Sequence, residues 1–141
     1  MSASDPHDLQ RFVDAQAPVY VRVVAELTEG RKSSHWMWFI FPQIAGLGSS
    51  PMAQRYAIAA RGEAAAYLDH PLLGPRLRQC TRLVTGIDGR SIHQIFGSPD
   101  DMKFQSSMTL FAWTAGDNAD FLAALDKHFD GTLDPATLAR L

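Results

Sequence analysis

The chain has 141 residues, of which 46% are hydrophobic, and it carries 13 basic and 15 acidic side chains for a formal charge of −2. This length suits one domain with its own core, the apolar content excludes a disordered chain, and the charge balance disfavours non-specific nucleic-acid binding. Cys80 is the single cysteine. Disulfides within the chain and cysteine-based metal clusters are therefore excluded, and a cytoplasmic location is expected.

The polar residues 1–7 predict a flexible tail ahead of a single helical domain over residues 8–141. They lack the basic start and apolar run of a signal peptide. The longest apolar run, Trp36 to Phe41, is too short to span a bilayer. We therefore expect a soluble protein without a membrane partner, and the sequence leaves its oligomeric state open.

Helical spacing of apolar residues, together with start and stop signals, predicts four helices in the first half of the chain, over about 8–15, 18–30, 33–41 and 51–69. Asp8 can cap the first helix, and Ser33 or Ser34 can cap the third. Ser50-Pro51 is a strong start signal for the fourth. An irregular loop near 42–50, which contains two glycines, separates the third helix from the fourth.

Five more helices are predicted after the break at His70-Pro71, over about 72–86, 91–96, 100–116, 118–129 and from 134 onward. Asn118 and Asp134 can cap the last two. Cys80 lies on the apolar stripe of the helix over 72–86, which predicts an inert core thiol. No stretch alternates convincingly with period two. The predicted fold class is all-α, a compact multihelical single domain with about seven to nine short helices.

The most unusual feature is the segment 32–43, which reads KSSHWMWFIFPQ. A helix that is apolar on every side must be covered on every side, so Met37, Phe39 and Ile40 are predicted to pack in the core. The indole and imidazole groups need partners when they are buried. Aromatic rings beside convergent polar groups are typical of a site for a planar ligand. The predicted ligand-binding residues of this segment are Lys32, Ser34, His35, Trp36, Trp38 and Gln43.

Two further segments carry candidate ligand-binding residues. The loop with Gly46 and Gly48 lets backbone approach a ligand, and the helix that starts after Ser50 offers unpaired N–H groups to an anion. A simple turn with a serine cap is the alternative. Tyr56, one to two turns into that helix, can face the same ligand site or pack in the core. On the helix over 100–116, part of one surface is polar, and a solvated face is the alternative. Its candidates are Lys103, Ser106 and Ser107.

Seven motifs between residues 32 and 111 resemble the bacterial and fungal domain-of-unknown-function 1810 (DUF1810) family, and the resemblance covers about residues 8–141. The resemblance implies a compact multihelical fold and no established reaction. The motifs are Lys32–Gln43, Gly46-Leu-Gly48-x-Ser50, Tyr56-Ala-Ile58, Glu63-Ala-x-Ala-Tyr67-Leu, His70-Pro-x-Leu-Gly74, Ile95-Phe-Gly97 and Asp101-x-Lys103-x-x-Ser106-Ser-Met-Thr-Leu-Phe111.

The chain also resembles the NADAR/YbiA-like group, which is associated with N-glycosidic chemistry on nucleotide-like or ADP-ribose-like ligands. The likeness lies in an aromatic-rich early helix and in Lys103-Phe-Gln105. The tryptophan- and glycine-bearing C-terminal motifs of that group are missing, so no catalytic residue is carried across.

Two hypotheses of different classes follow. In the first, the candidate residues form a site for a nucleotide-like or other anionic aromatic compound. If this site is catalytic, hydrolysis of an N-glycosidic bond is expected, with Asp101 or Glu63 as the carboxylate and His35 as proton carrier. In the second, the domain is a non-catalytic module that binds a protein or peptide through exposed tryptophans. The five histidines are scattered, so neither a metal site nor a cofactor is expected.

Overall fold

A computed structural model describes residues 5–141, and it shows one compact all-α domain, as predicted. Residues 1–4, with most of the predicted tail, lie outside the described part of the chain. The described residues form ten helices, slightly more than expected. They are α1 (Gln10–Gln16), α2 (Tyr20–Glu29), α3 (Met37–Ile40), α4 (Pro51–Arg55), α5 (Arg61–Asp69), α6 (Leu73–Thr85), α7 (Ile92–Phe96), α8 (Asp100–Thr114), α9 (Ala119–Phe129) and α10 (Pro135–Leu138).

Helix α3 lies in the centre of the core, as its apolar sequence predicts. Met37, Phe39 and Ile40 are each no more than 6% exposed. Phe41, directly after the helix, packs edge-on against Phe104 of α8 with ring centroids 4.9 Å apart. Burying side chains of this size contributes roughly 1.5–3 kcal/mol each. The packing of these side chains therefore holds α3 in one position relative to α8.

The helix predicted over 51–69 is interrupted, and this accounts for the additional helix. Helix α4 ends at Arg55, and the chain then runs in an irregular segment until α5 begins at Arg61. Within that segment Ile58 is fully buried and forms a parallel bridge with Ile44. Its N–H donates to the Gln43 carbonyl at 2.8 Å, and its carbonyl accepts from Ala45 at 2.8 Å. These tertiary contacts outweigh the helix propensity of an alanine-rich sequence.

The first helix is capped by a different aspartate from the one predicted. The Asp5 carboxylate accepts hydrogen bonds from the N–H groups of Leu9 at 2.9 Å and Gln10 at 3.0 Å. Asp8 instead adopts a left-handed backbone conformation, with φ of +50°. A carboxylate at the start of a helix satisfies free N–H groups whichever residue supplies it. Asp5–His7 thus belong to the helix start.

Two other predicted caps are also wrong. Asn118 makes no capping bond, because its amide donates back to the Ala112 carbonyl of α8 at 3.0 Å. The third helix begins later than predicted, because Ser33 and Ser34 donate their N–H groups to the Glu26 side chain. In both cases a partner on the preceding helix binds a residue that the local pattern assigned to the helix end.

Cys80 is fully buried on α6, which confirms the prediction of a core thiol. Burial raises the pKa of this thiol to about 11, so it stays protonated. Within residues 5–141, no helix combines the length and apolarity that crossing a lipid bilayer requires.

Candidate functional site

The concave feature that brings candidate residues together is a cleft of about 480 Å³ between the loop Gln43–Ser50 with α4 on one side and helices α8 and α10 on the other. Its volume falls within the usual range for small-molecule sites. The glycine-containing loop and helix α8, which carry two of the three groups of candidate residues, face each other here. The third group, in segment 32–43, contributes only Gln43. The lining residues are Gln43, Leu47, Gly48, Ser49, Ser50, Ala53, Pro99, Met102, Lys103, Ser106, Asp134 and Ala136.

A smaller pocket of about 140 Å³ adjoins the cleft, and the two share Gln43, Gly48 and Ala53. The aromatic residues of the smaller pocket are Trp38 and Tyr56. The cleft and the pocket thus meet at these three residues. The lining of the smaller pocket is Trp38, Gln43, Ile44, Ala45, Gly46, Gly48, Ala53, Gln54, Tyr56 and Ala57.

Two glycines hold the loop Gln43–Ser50 against its neighbours. Gly46 has φ of +96°, which side chains disfavour, and its carbonyl accepts a hydrogen bond from Arg140 Nη2 at 3.2 Å. A Cβ atom on Gly48 would lie 2.8 Å from the Cβ of Ala53, so only glycine fits this approach to α4. Ser50 accepts from Ala53 N at 3.1 Å, which confirms it as the cap of α4.

Two lysines share one carboxylate beside the cleft. Lys32 Nζ lies 2.9 Å from Asp100 Oδ2, and Lys103 Nζ lies 3.4 Å from Asp100 Oδ1. Each ammonium also lies over a tryptophan ring: Lys32 is 5.2 Å from the centroid of Trp36, and Lys103 is 5.1 Å from that of Trp38. All three charged side chains are less than a quarter exposed. Within this cluster of three side chains, two cations and one anion leave one positive charge, which attracts anions.

Asp134 and Ser106 form the polar wall opposite the loop. Ser106 Oγ donates to Asp134 Oδ2 at 2.8 Å, and the same oxygen accepts from the backbone and hydroxyl of Thr137. The Asp134 N–H donates in turn to Thr109 Oγ1 at 2.9 Å. Asp134 was expected only as a cap of the last helix, and it does cap α10. Its place in the cleft was missed, because α10 and α8 come together only in the folded chain.

Glu26 is a buried carboxylate that organises the start of the aromatic segment. It accepts from the N–H groups of Ser33 at 2.7 Å and Ser34 at 3.0 Å, from the Ser34 hydroxyl, and from Trp36 Nε1 at 3.0 Å. Burial by itself raises the pKa of Glu26, but these hydrogen bonds outweigh it and leave the pKa below its ordinary value. Sequence reasoning missed Glu26, although it follows Val23 by three residues on the buried face of α2.

The predicted ligand-binding residues divide into two groups. Gln43, Gly46, Gly48, Ser50, Trp38, Tyr56, Lys103 and Ser106 line the cleft or the smaller pocket. The others line neither. Lys32 pairs with Asp100, and Ser34 and Trp36 are bound to Glu26. His35 is exposed, and Ser107 is fully buried in α8 with no hydrogen-bond partner for its hydroxyl.

The structure does not bring the three predicted catalytic residues to this site. Glu63 is buried and pairs with Arg11, with 2.7 Å between Oε2 and Nη2. The Asp101 carboxylate is 3.2 Å from His93 Nδ1 and also accepts from Met102 N. His35 is exposed and lines neither cavity. Within residues 5–141, no three His, Cys, Asp or Glu side chains lie together so that they could hold a metal ion.

The aromatic segment 36–41 offers no flat, exposed patch of the kind expected for a protein-binding module. Trp36 is 1% exposed and Trp38 is half-buried beneath Lys103. The one highly exposed tryptophan of the described chain is Trp113, 52% exposed near the end of α8. The segment thus contributes to the core and to a concave wall.

Fold and site thus define an all-helical domain with a cleft between a glycine-containing loop and helix α8. Residues 6–141 match the family model described as "Protein of unknown function (DUF1810)", and the chain belongs to this family. It is similar to a conserved hypothetical protein, Rv1873, from Mycobacterium tuberculosis, whose crystal structure superposes with a TM-score of 0.96. The two share 60% identity over 97% of this chain and 98% of that chain. No curated protein matches the chain.

Proposed function

We propose that this domain binds a small anionic compound of nucleotide-like character in the cleft between the loop Gln43–Ser50 and helix α8. The observation that carries the proposal is the meeting of chemically suitable residues from distant segments. Gln43 and Ser50 come from one wall, and Lys103 and Ser106 come from the other. A concave site with a few convergent polar groups is what a small ligand requires.

The charge distribution supports an anionic group at the Lys103 side of the cleft. Lys103 and Lys32 share Asp100, so a single carboxylate balances two ammonium groups. Lys32 is only 9% exposed in its side chain, so water screens this excess charge poorly. Lys103 is the member of the cluster that lines the cleft. A phosphate or carboxylate of the ligand would therefore pair with Lys103.

On the same wall of the cleft as Lys103, Asp134 supports hydroxyl or N–H groups elsewhere on the same ligand. Asp134 is the one carboxylate among the described residues that line the cleft. Three protein hydrogen bonds converge on its Oδ2 atom, which fixes the orientation of the side chain. A second carboxylate oxygen can accept from sugar hydroxyls or a base N–H. A ligand with an anionic group for Lys103 and hydrogen-bond donors for Asp134 has nucleotide-like character.

Binding is the activity that this geometry supports best. An N-glycosidic hydrolase needs a carboxylate or a base within hydrogen-bond reach of the reacting bond. His35, Asp101 and Glu63 line neither cavity, and they have other partners or face solvent. A cytoplasmic location belongs to the same proposal, and the single buried cysteine supports it.

The proposal is tested by titrating the ¹⁵N-labelled protein with ribose 5-phosphate, uridine 5′-monophosphate and adenosine 5′-monophosphate. We expect amide shifts in the loop 43–50 and in α8, together with a rise in Tm. Lys103→Ala should weaken binding about tenfold or more, because a hydrogen bond to a charged group is lost.

Lys127→Ala is the matched control, because Lys127 pairs with Asp88 and lines neither cavity. Its affinity should equal that of the wild type. The proposal is wrong if none of the three compounds shifts these amides, or if Lys103→Ala and Lys127→Ala bind equally well.

A further inference from the structure

Asp134 has one carboxylate oxygen that the protein leaves free. Its Oδ2 atom accepts from Ser106 and from the backbone and hydroxyl of Thr137, whereas Oδ1 has no hydrogen-bond partner in the described part of the chain. The buried side-chain nitrogen and oxygen atoms without a partner there are Trp38 Nε1 and Ser107 Oγ. Since Oδ1 is not among them, this oxygen retains accessible surface on a half-buried residue that lines the cleft.

The Asp134 carboxylate also lacks a cationic partner. No lysine, arginine or histidine nitrogen among the described residues lies within 4 Å of its oxygens. Lys103 is held elsewhere, 3.4 Å from Asp100 and 5.1 Å from the centre of the Trp38 ring. The donors on Oδ2 are neutral hydroxyl and amide groups, which orient the carboxylate and leave its charge in place. The cleft therefore has a negative group in addition to the ammonium of Lys103.

The two opposite charges are close enough for one small molecule to reach both. Lys103 and Ser106 are three residues apart on α8, so they are neighbours on one face of the helix, with about 5–6 Å between their Cβ atoms. Ser106 Oγ in turn lies 2.8 Å from Asp134 Oδ2. A compound that offers an anionic group to Lys103 can therefore place a second group beside Asp134.

We propose that the ligand of this cleft carries a protonated amine as well as its anionic group, and that the amine binds Asp134. The inference rests on the proposed function and narrows it, because the ammonium takes the place of one of the sugar hydroxyls that Asp134 could accept from. An ammonium group donates to Oδ1 and also neutralises the carboxylate, whereas a hydroxyl supplies the hydrogen bond alone. The ligand class is an aminated sugar phosphate.

Glucosamine 6-phosphate and glucose 6-phosphate test the inference on the wild-type protein, because they differ only by an amine in place of one hydroxyl. Isothermal titration calorimetry at about pH 6.5, where the amine is protonated, measures both affinities. We expect the amino sugar phosphate to bind about tenfold more tightly, since a hydrogen bond between two charged groups is stronger than one from a neutral hydroxyl. This comparison requires no variant, so it does not depend on whether a substituted protein folds.

Asp134→Asn removes the charge and retains an oxygen that can accept from Ser106 and Thr137. It should weaken binding of glucosamine 6-phosphate about tenfold and change that of glucose 6-phosphate by less than about twofold. Asp69→Asn is the matched control, because Asp69 is exposed at the end of α5 and lines neither cavity. It removes the same charge from the protein and should affect neither sugar phosphate.

The outcomes separate this inference from the proposed function. If ribose 5-phosphate binds in the cleft while glucosamine 6-phosphate binds no better than glucose 6-phosphate, or does not bind, the amine site is wrong and the proposed function stands. If glucosamine 6-phosphate binds while ribose 5-phosphate and both nucleotides do not, the nucleotide-like character is wrong and the amine site stands. A preference for the amine that survives in Asp134→Asn, or that is lost equally in Asp69→Asn, also overturns the amine site.

Discussion

Glu26 shows how one buried side chain can account for several features of a sequence motif. Its carboxylate holds two serine amides, a serine hydroxyl and the Trp36 indole N–H. Without Glu26 these donors would be buried or half-buried without partners, at about 1–3 kcal/mol each. Much of the polar character of residues 33–36 is therefore explained by folding alone.

Glu26→Gln should destabilise the protein by about 2 kcal/mol or more, because a neutral amide replaces a charged acceptor and has only one oxygen. The pKa of Glu26 lies below its ordinary value of about 4.5, so the unfolded chain takes up the proton first as the pH falls. The stabilisation is therefore complete above about pH 4.5 and is lost as the pH drops through the folded pKa.

Urea denaturation between pH 3 and 7 measures both effects. The free energy of unfolding of Glu26→Gln should depend less on pH below 4.5 than that of the wild type. Identical pH dependence in the two proteins would show that Glu26 is not the residue that titrates.

At the scale of helices, local signals predicted where most elements lie and failed where a distant contact intervened. Ser50 caps α4 as expected, because a serine and a following proline act within one turn. The interruption at Ile58 was not predicted, because its partner Ile44 lies on another segment and alanine-rich sequence favours helix. Asp134 was predicted only as a cap. Its contact with Ser106 was not predicted, because the two residues lie at different helices and are 28 positions apart.

The crossing of α5 and α6 yields a prediction about glycine. A Cβ atom on Gly74 would lie 2.1 Å from the Leu68 carbonyl oxygen, which is backbone and cannot turn aside. Gly74→Ala should therefore separate the two helices and cost at least about 2 kcal/mol. The urea midpoint of the purified variant measures this loss.

Gly62→Ala is the matched control on α5, because nothing lies within 4 Å of the added methyl group. It should stabilise the protein by about 0.5–1 kcal/mol, since alanine favours helix. If both variants unfold at the same urea concentration, the close helix crossing is not a constraint.

For the whole molecule, composition and apolar periodicity predicted a single all-α domain, and the structure agrees. The candidate residues Gln43, Gly48, Lys103 and Ser106 could be selected from their chemistry, and they line one cleft. Their convergence could not be derived, because it depends on how α8 and α10 pack against a loop far away in sequence. The orphan N–H of Trp38 is likewise visible only when the packing is known.

Cys80 provides a reporter of global unfolding. With full burial and a pKa of about 11, roughly one thiol in a thousand is ionised at pH 8 in the folded protein. Labelling by a disulfide reagent should therefore require unfolding, and its rate should rise with urea in parallel with the unfolded population. Cys80→Ala provides the blank. Rapid labelling that does not depend on urea would reveal a local opening of α6.

The hydrogen bond from Arg140 to Gly46 joins residues 94 positions apart. Helix α10 and the loop can therefore pack together only when distant parts of the chain have folded onto each other. Because Asp134 and Ala136 also line the cleft, its walls are complete only in the fully folded domain. The ligand proposed here would thus select the finished fold over any partly folded form.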